Sequence, residues 1–207
     1  MTRFNIQNRR YVGSKYKISD DILKIILDNC EGNSFFDVFA GTAIMTEKMI
    51  PYADTLIIND FLYSNEIIYK GFFHSYGVDM AKLSRIADKF NNTQENDLEQ
   101  ENYCSINFGG QYFSKYDAFI IGEIREEIDN LYNTRKISEK EFNVLLSSLI
   151  YSVDKISNTV GHYDAYRKIK NIDDLFKYQL IEPIDTREKT IQIYREDANE
   201  LVEKIKS

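Results

Sequence analysis

Two short apolar runs constrain this chain more than any other feature of it. Ser34-Phe35-Phe36-Asp37-Val38-Phe39-Ala40 comes first, and Thr55-Leu56-Ile57-Ile58-Asn59-Asp60 follows. Between them lie a Gly41-Thr42 turn and a stretch from Ala43 to Met49 that reads as a helix, closed by Pro51. Runs this short and this continuously apolar suit strands buried on both faces. Strand, helix, strand within about 30 residues is a βαβ unit, which requires a parallel sheet.

Elements of both kinds flank this unit. Ser19 suits an N-cap, and Ile22, Leu23, Ile25, Ile26 and Leu27 give the following helix its apolar face, until Glu31-Gly32-Asn33 breaks it. Helices are expected over 64–73, 80–90 and 116–131, with a polar, acidic loop over 91–102. Residues 103–113 carry Gly109-Gly110 and several aromatics, which predicts an ordered loop or hairpin. Ser138-Glu139-Lys140-Glu141 fits a capping box ahead of a helix whose Phe142, Leu145, Leu146, Leu149, Ile150 and Val153 form a core stripe. Thr190 to Tyr194 reads as a third strand, and Ala198 opens a last helix. The expected organisation is an α/β region over 1–73, a helical insertion over 74–189 and a return to the sheet over 190–207. The insertion is too long for a simple crossover.

Composition removes several function classes. The formal net charge of −7 argues against a protein that coats nucleic acid generally, so any DNA contact needs a local basic patch. Residues 1–17 offer one, with Arg3, Arg9, Arg10, Lys15 and Lys17 and no acid; a solvated, frayed terminus is the alternative reading. The two cysteines form neither a zinc spacing nor a disulfide framework: Cys30 reads as a helix-end core residue and Cys104 as a loop residue. His162 and His74 share no ligand spacing, so no metal is expected. No apolar leader and no long apolar run occur, which predicts a soluble, cytoplasmic chain without membrane contact.

The first turn carries the chemistry. Gly41 permits close backbone approach to a ligand, and the helix start offers unpaired N–H groups to an anion. Asp60 stands at the end of the second strand, where a carboxylate can accept both ribose hydroxyls of an adenosine-containing cofactor. A dinucleotide fold wants Gly-x-Gly-x-x-Gly, yet Ala43 and Thr46 occupy the second and third glycine positions. Pyrophosphate binding is therefore disfavoured, whereas S-adenosylmethionine, which has no phosphate, tolerates a looser turn. The turn by itself also fits an ordinary βα connection.

Together these segments resemble the Dam-type adenine-N6 DNA methyltransferases. Asp37-Val38-Phe39-Ala40-Gly41-Thr42-Ala43 looks like that family's S-adenosylmethionine motif, and Asn59-Asp60 looks like its ribose-binding acidic pair. Tyr11-Val12-Gly13-Ser14-Lys15 is similar to its N-terminal motif, which folds back over the cofactor. Ile193 to Leu201 is similar to its third strand, whose acidic end faces the adenine; Asp197 is expected there, with Asn199 as the alternative. The resemblance implies a Rossmann-like, incomplete methyltransferase sheet with a mostly helical target-recognition insertion. It implies S-adenosyl-L-methionine as cofactor, held by Tyr11, Gly13, Lys15, Asp37, Phe39, Gly41, Thr42, Ala43, Asp60 and Asp197. It implies double-stranded DNA as partner, in a restriction-modification setting.

Within the insertion, Asn107 to Phe113 and Ser157 to Arg167 are rich in side chains that stack, hydrogen-bond or touch phosphate. Tyr112, Asn158, His162, Tyr163 and Arg167 join Arg9 and Arg10 as DNA-binding candidates. Aromatic packing within loops is the competing reading.

The departure from the family is the absence of its catalytic Asp/Asn-Pro-Pro-Tyr motif: no Pro-Pro occurs in the chain. The expectation is an N-terminal part that binds cofactor without transferring methyl. Its first strand would form an open edge, which invites self-association or pairing with a chain that carries the catalytic half. An RNA or small-molecule methyltransferase, and a non-catalytic cofactor- or DNA-binding module, stay open as alternatives.

Overall fold

The computed structural model describes residues 13–74, 76–92, 101–159, 165–169 and 171–205. They divide into two compact units. One comprises the described residues up to Tyr76 and those from Glu182 onward; the other is Gly77–Ile181.

The first unit is built on three parallel strands, β1 (Ser34–Asp37), β2 (Thr55–Asn59) and β3 (Thr190–Tyr194), in the order β1-β2-β3. The strands run as the βαβ pattern requires. Among the described residues β1 pairs with β2 alone and so forms an edge. Phe35, Leu56 and Ile191 are register partners and cross the sheet as one row. That row packs with Met49, Ile50 and Ala53 and with Leu23 and Ile26. Helices α1 (Ser19–Asn29) and α2 (Ile44–Met49) therefore cover this face. Leu56 is fully buried, and burial of such a side chain stabilises by about 1.5–3 kcal/mol. Helix α3 (Tyr63–Phe73) follows β2, and α8 (Ala198–Lys204) follows β3. The open carbonyls at the end of α3 are satisfied by the returning chain: Phe72 O accepts from Ile184 N and Phe73 O from the Thr186 hydroxyl.

Ser19 does not cap α1. It is the first helical residue, buried, and its hydroxyl donates to Tyr16 O of a preceding 3-10 turn (Tyr16–Ile18). That turn already supplies the chain reversal a cap would have made. Cys30 is exposed at the end of α1 rather than in the core.

The second unit is helical. It contains α4 (Met80–Asn91), α5 (Tyr103–Phe108), α6 (Lys115–Asn133) and α7 (Glu139–Ile156). The capping box of α7 forms as its sequence requires, with Ser138 and Glu141 bonded reciprocally. Burial pushes the Glu141 carboxyl up, but the bonds from Lys82 and Ser138 outweigh it and hold the group below the usual carboxylate range. Residues 103–113 are not a hairpin. Asn102 and Ser105 form a second reciprocal capping box and start α5, and a bridge between Gly109 and Phe113 closes the turn after it. Cys104 accordingly sits in a helix, and burial pushes its thiol up to about 11. Gly122 of α6 lies against this cap: a Cβ there would collide with the Asn102 side-chain amide.

The chain then runs back over the helices without regular structure, and side chains take the place of a ladder. Asp117 accepts from the amides of Leu175 and Phe176. Asn91 accepts from Tyr178 N and donates to Tyr178 O. Ser152 accepts from Gln179 N, and Ser148 accepts from Ile181 N. The fully buried Tyr178 donates its hydroxyl to Leu145 O. Buried irregular backbone needs such partners because an unpaired polar group away from water is costly. Burial raises the Asp117 carboxyl above its ordinary value, although its two amide bonds pull the other way.

Candidate functional site

The C-terminal ends of β1 and β2 meet at a cavity of about 560 Å³. Three segments line it: Gly13 to Lys15, Phe39 to Thr42, and Asp60 to Leu62. Open α/β sheets place ligand crevices at this end because the loops there carry the helix starts.

The turn after β1 is unusual backbone. Gly41 and Ala43 both have φ of 58°. For Ala43 this left-handed conformation costs roughly 1–2 kcal/mol. It is held by Ala43 N donating to Ala40 O at 2.7 Å and by complete burial. Tyr69 donates its hydroxyl to Gly41 O at 2.6 Å. Asp60 ties the turn to the next loop, since Oδ2 accepts from Gly41 N and Oδ1 from Leu62 N, each at 2.9 Å. Each carboxylate oxygen retains a second lone-pair direction.

Beneath the turn lies a second group. Asp37, buried at the end of β1, accepts from the Thr46 hydroxyl at 3.0 Å and pairs with the Lys15 ammonium at 3.3 Å. Lys15 also donates to Phe39 O at 2.9 Å, which fixes the N-terminal segment against the turn. Asp37 and Asp60 against Lys15 leave these residues with one net negative charge. At the mouth, Phe39 is 72% exposed and Phe61 76% exposed.

Asn59 is not free to bind a ligand. It is buried, its Nδ2 donates to Val38 O at 3.1 Å and Glu196 O at 3.2 Å, and its Oδ1 accepts from Glu196 N at 3.1 Å. One side chain thus holds together the ends of all three strands. Asn59→Ala is expected to lower unfolding free energy by roughly 2–4 kcal/mol, because three backbone groups lose their partner. Urea titration measures this, and a loss below about 1 kcal/mol would contradict the strand-end clamp.

Of the sequence-selected cofactor residues, Gly13, Lys15, Phe39, Gly41, Thr42 and Asp60 line the cavity. Asp37 supports it through Lys15, and Ala43 shapes the turn from within the core. Asp197 stands apart from the lining: it is the N-cap of α8, where Oδ1 accepts from Asn199 N and Glu200 N. Tyr11, Arg9, Arg10, His162 and Tyr163 lie outside the described residues. Tyr112, Asn158 and Arg167 belong to the helical unit. Ser14 and Ala40, which lie inside the two motifs without being singled out there, also line the cavity, as do Phe61 and Leu62, which the sequence did not point to. An apolar pair directly after a strand-end acid was the available signal for the last two. Among the described residues no cluster suits a metal ion, and no helix is long and apolar enough to cross a membrane.

Comparison with known proteins places these segments in one context. The family model described as D12 class N6 adenine-specific DNA methyltransferase matches residues 11–207. The type II methyltransferase M.CviAII of Paramecium bursaria Chlorella virus 1 is 30% identical over 92% of this chain and 59% of its own length. M.NlaIII of Neisseria lactamica is 29% identical over 94% of this chain and 60% of its own length. For M.FokI of Planomicrobium okeanokoites the identity is 30%, over 95% of this chain and 32% of the relative. The chain thus spans about three-fifths of the first two relatives and a third of the last.

Proposed function

The chain belongs to the D12 class N6 adenine-specific DNA methyltransferase family, and on that premise we propose that it supplies the S-adenosylmethionine-binding part of a DNA adenine methyltransferase of a restriction-modification system. The observation that carries the reading is the convergence of three sequence-distant segments on one cavity at the C-terminal strand ends. Its volume lies within the ordinary range for small-molecule sites, about 300–1,000 Å³.

The donor set fits the cofactor. Asp60 keeps acceptor directions open for ribose hydroxyls while its two amide bonds hold the carboxylate in place. The single net negative charge of Asp37, Asp60 and Lys15 complements a ligand carrying a sulfonium, an ammonium and one carboxylate. The same charge repels a pyrophosphate, which separates this reading from a dinucleotide site. Phe39 and Phe61 offer apolar surface at the mouth, suited to an adenine ring. When bound, S-adenosylmethionine supplies an electrophilic methyl group on sulfur. The chain's own part is to bind, orient and exclude water.

Calorimetric titration tests the proposal. Saturable binding of S-adenosylmethionine is expected, with weaker binding of its neutral-sulfur product because one positive charge is lost. Binding of NADH with none of S-adenosylmethionine would overturn the assignment.

A further inference from the structure

Four aromatic side chains of the helical unit form an unbroken row. Ring centroids of Tyr103 and Phe108 lie 6.2 Å apart, Phe108 and Tyr112 5.8 Å, and Tyr112 and Tyr166 5.4 Å, every pair edge to face. The ends are open, with Tyr103 73% and Tyr166 39% exposed, and the middle rings are half-buried. Two exposed cations, Arg167 and Lys168, follow Tyr166 directly, and neither has an acidic partner among the described residues.

The row exists because one side chain joins two loops. Asn158 Nδ2 donates to Gln111 O at 2.9 Å and to Arg167 O at 2.8 Å, and Asn158 N donates to Tyr112 O at 2.8 Å. An antiparallel bridge between Thr159 and Tyr166 adds to the clasp. Both amide hydrogens of Asn158 are engaged within the protein, so it donates no hydrogen bond to a base.

We infer that this row is a stacking surface for unstacked DNA bases, with Arg167 and Lys168 on the neighbouring phosphates and Asn158 as a positioning residue. The inference rests on the reading of the chain as part of a DNA methyltransferase. In an intact duplex each base face is covered by its neighbours, and only edges and phosphates are open. Aromatic faces therefore act on bases that have left the stack. Cations without acidic partners beside the row favour a polyanion over an apolar protein surface.

Fluorescence anisotropy of the 207-residue chain tests this against three labelled probes of one sequence: a matched duplex, the same duplex with an unpaired bulge, and the single strand. The bulged and single-stranded probes are expected to bind more tightly than the matched duplex. Tyr112→Ala and Tyr166→Ala should each weaken binding to the bulged probe at least about fivefold, whereas the Phe variants, which keep the ring face, should not. Arg167→Ala combined with Lys168→Ala should flatten the salt dependence. Asn158→Ala should weaken binding in the parent but add nothing once Tyr166 is Ala, a coupling that general destabilisation would not produce. S-adenosylmethionine affinity, measured in each variant, should not move. Ala variants that bind the bulged probe as the parent does, with cofactor binding intact, would overturn the stacking surface and leave the cofactor reading standing. A parent that binds the cofactor but none of the three probes would overturn the surface and the DNA part of the function together.

Discussion

Replacing Asp60 with alanine is expected to abolish measurable S-adenosylmethionine binding and to loosen the turn that forms the cavity. The carboxylate does two things at once. It accepts from the amides of Gly41 and Leu62, which belong to different lining segments. In the proposed function it also accepts from the ribose. A hydrogen bond to a charged group contributes about 1.5–3 kcal/mol, so each lost ribose bond weakens affinity by roughly ten- to more than a hundredfold. The two orphaned amides cost further stability, on the order of 2–5 kcal/mol together. Asp60→Asn separates the two effects. It keeps one acceptor for the turn but sets an amide donor against the other N–H. Its fold should be closer to the parent's than that of Asp60→Ala, with cofactor affinity still strongly reduced. Calorimetry and urea denaturation on the same samples read both quantities. Parent-like affinity in Asp60→Ala would remove the ribose role.

The second large effect is an absence of product. Incubated with tritiated S-adenosylmethionine and adenine-containing duplex DNA, these 207 residues alone are expected to leave the DNA unlabelled while still binding cofactor. Adenine N6 is a poor nucleophile because its lone pair is delocalised into the ring. Transfer to it needs acceptors for the amino hydrogens and a surface against the flipped base. Of the carboxylates at the cavity, Asp37 is paired with Lys15 and Thr46, and the acceptor directions that Asp60 keeps beside its bonds from Gly41 and Leu62 go to the ribose in the proposed function. The Pro-Pro motif that supplies those acceptors in the family the chain resembles does not occur in this sequence. Sedimentation of the same sample reads the edge of the sheet, since β1 pairs on one side only among the described residues. Catalytic labelling by the pure chain would refute the proposed silence.

Much of the first unit was legible because its pattern is local. The runs beginning at Ser34, Thr55 and Thr190 each become a strand, and the parallel order follows from a crossover helix of that length. Only β2 is buried through most of its length: β1 stops at Asp37, short of the 72% exposed Phe39, and β3 is only partly buried. The capping box at Ser138 was legible for the same reason, as both partners lie within one turn. Where two local readings competed, the sequence misled. Gly109-Gly110 and the aromatics around it suggested an ordered loop or hairpin, while the reciprocal Asn102–Ser105 cap that starts a helix is written in residues common in loops. Ser19 suited a cap, but a 3-10 turn had already filled that role.

Sequence alone determined where the three strands begin, that the sheet is parallel, and that a glycine turn and a strand-end acid share one rim. Burial and backbone freedom are properties of short stretches, so short stretches encode them. Tertiary structure decided what each polar side chain does. Asn59, adjacent to the acid and equally plausible as a ligand group, is enclosed by the carbonyls of Val38 and Glu196 and clamps the sheet. Asp197, acidic and just past a strand, caps α8. Asn158, a DNA-binding candidate by its sequence setting, donates to Gln111 O, 47 residues away, and to Arg167 O. A donor or acceptor bonds to whatever the fold brings within 3 Å or so; for Asn59 and Asn158 the partners come from elsewhere in the chain, whereas Asp197 bonds within its own turn, to Asn199 N and Glu200 N.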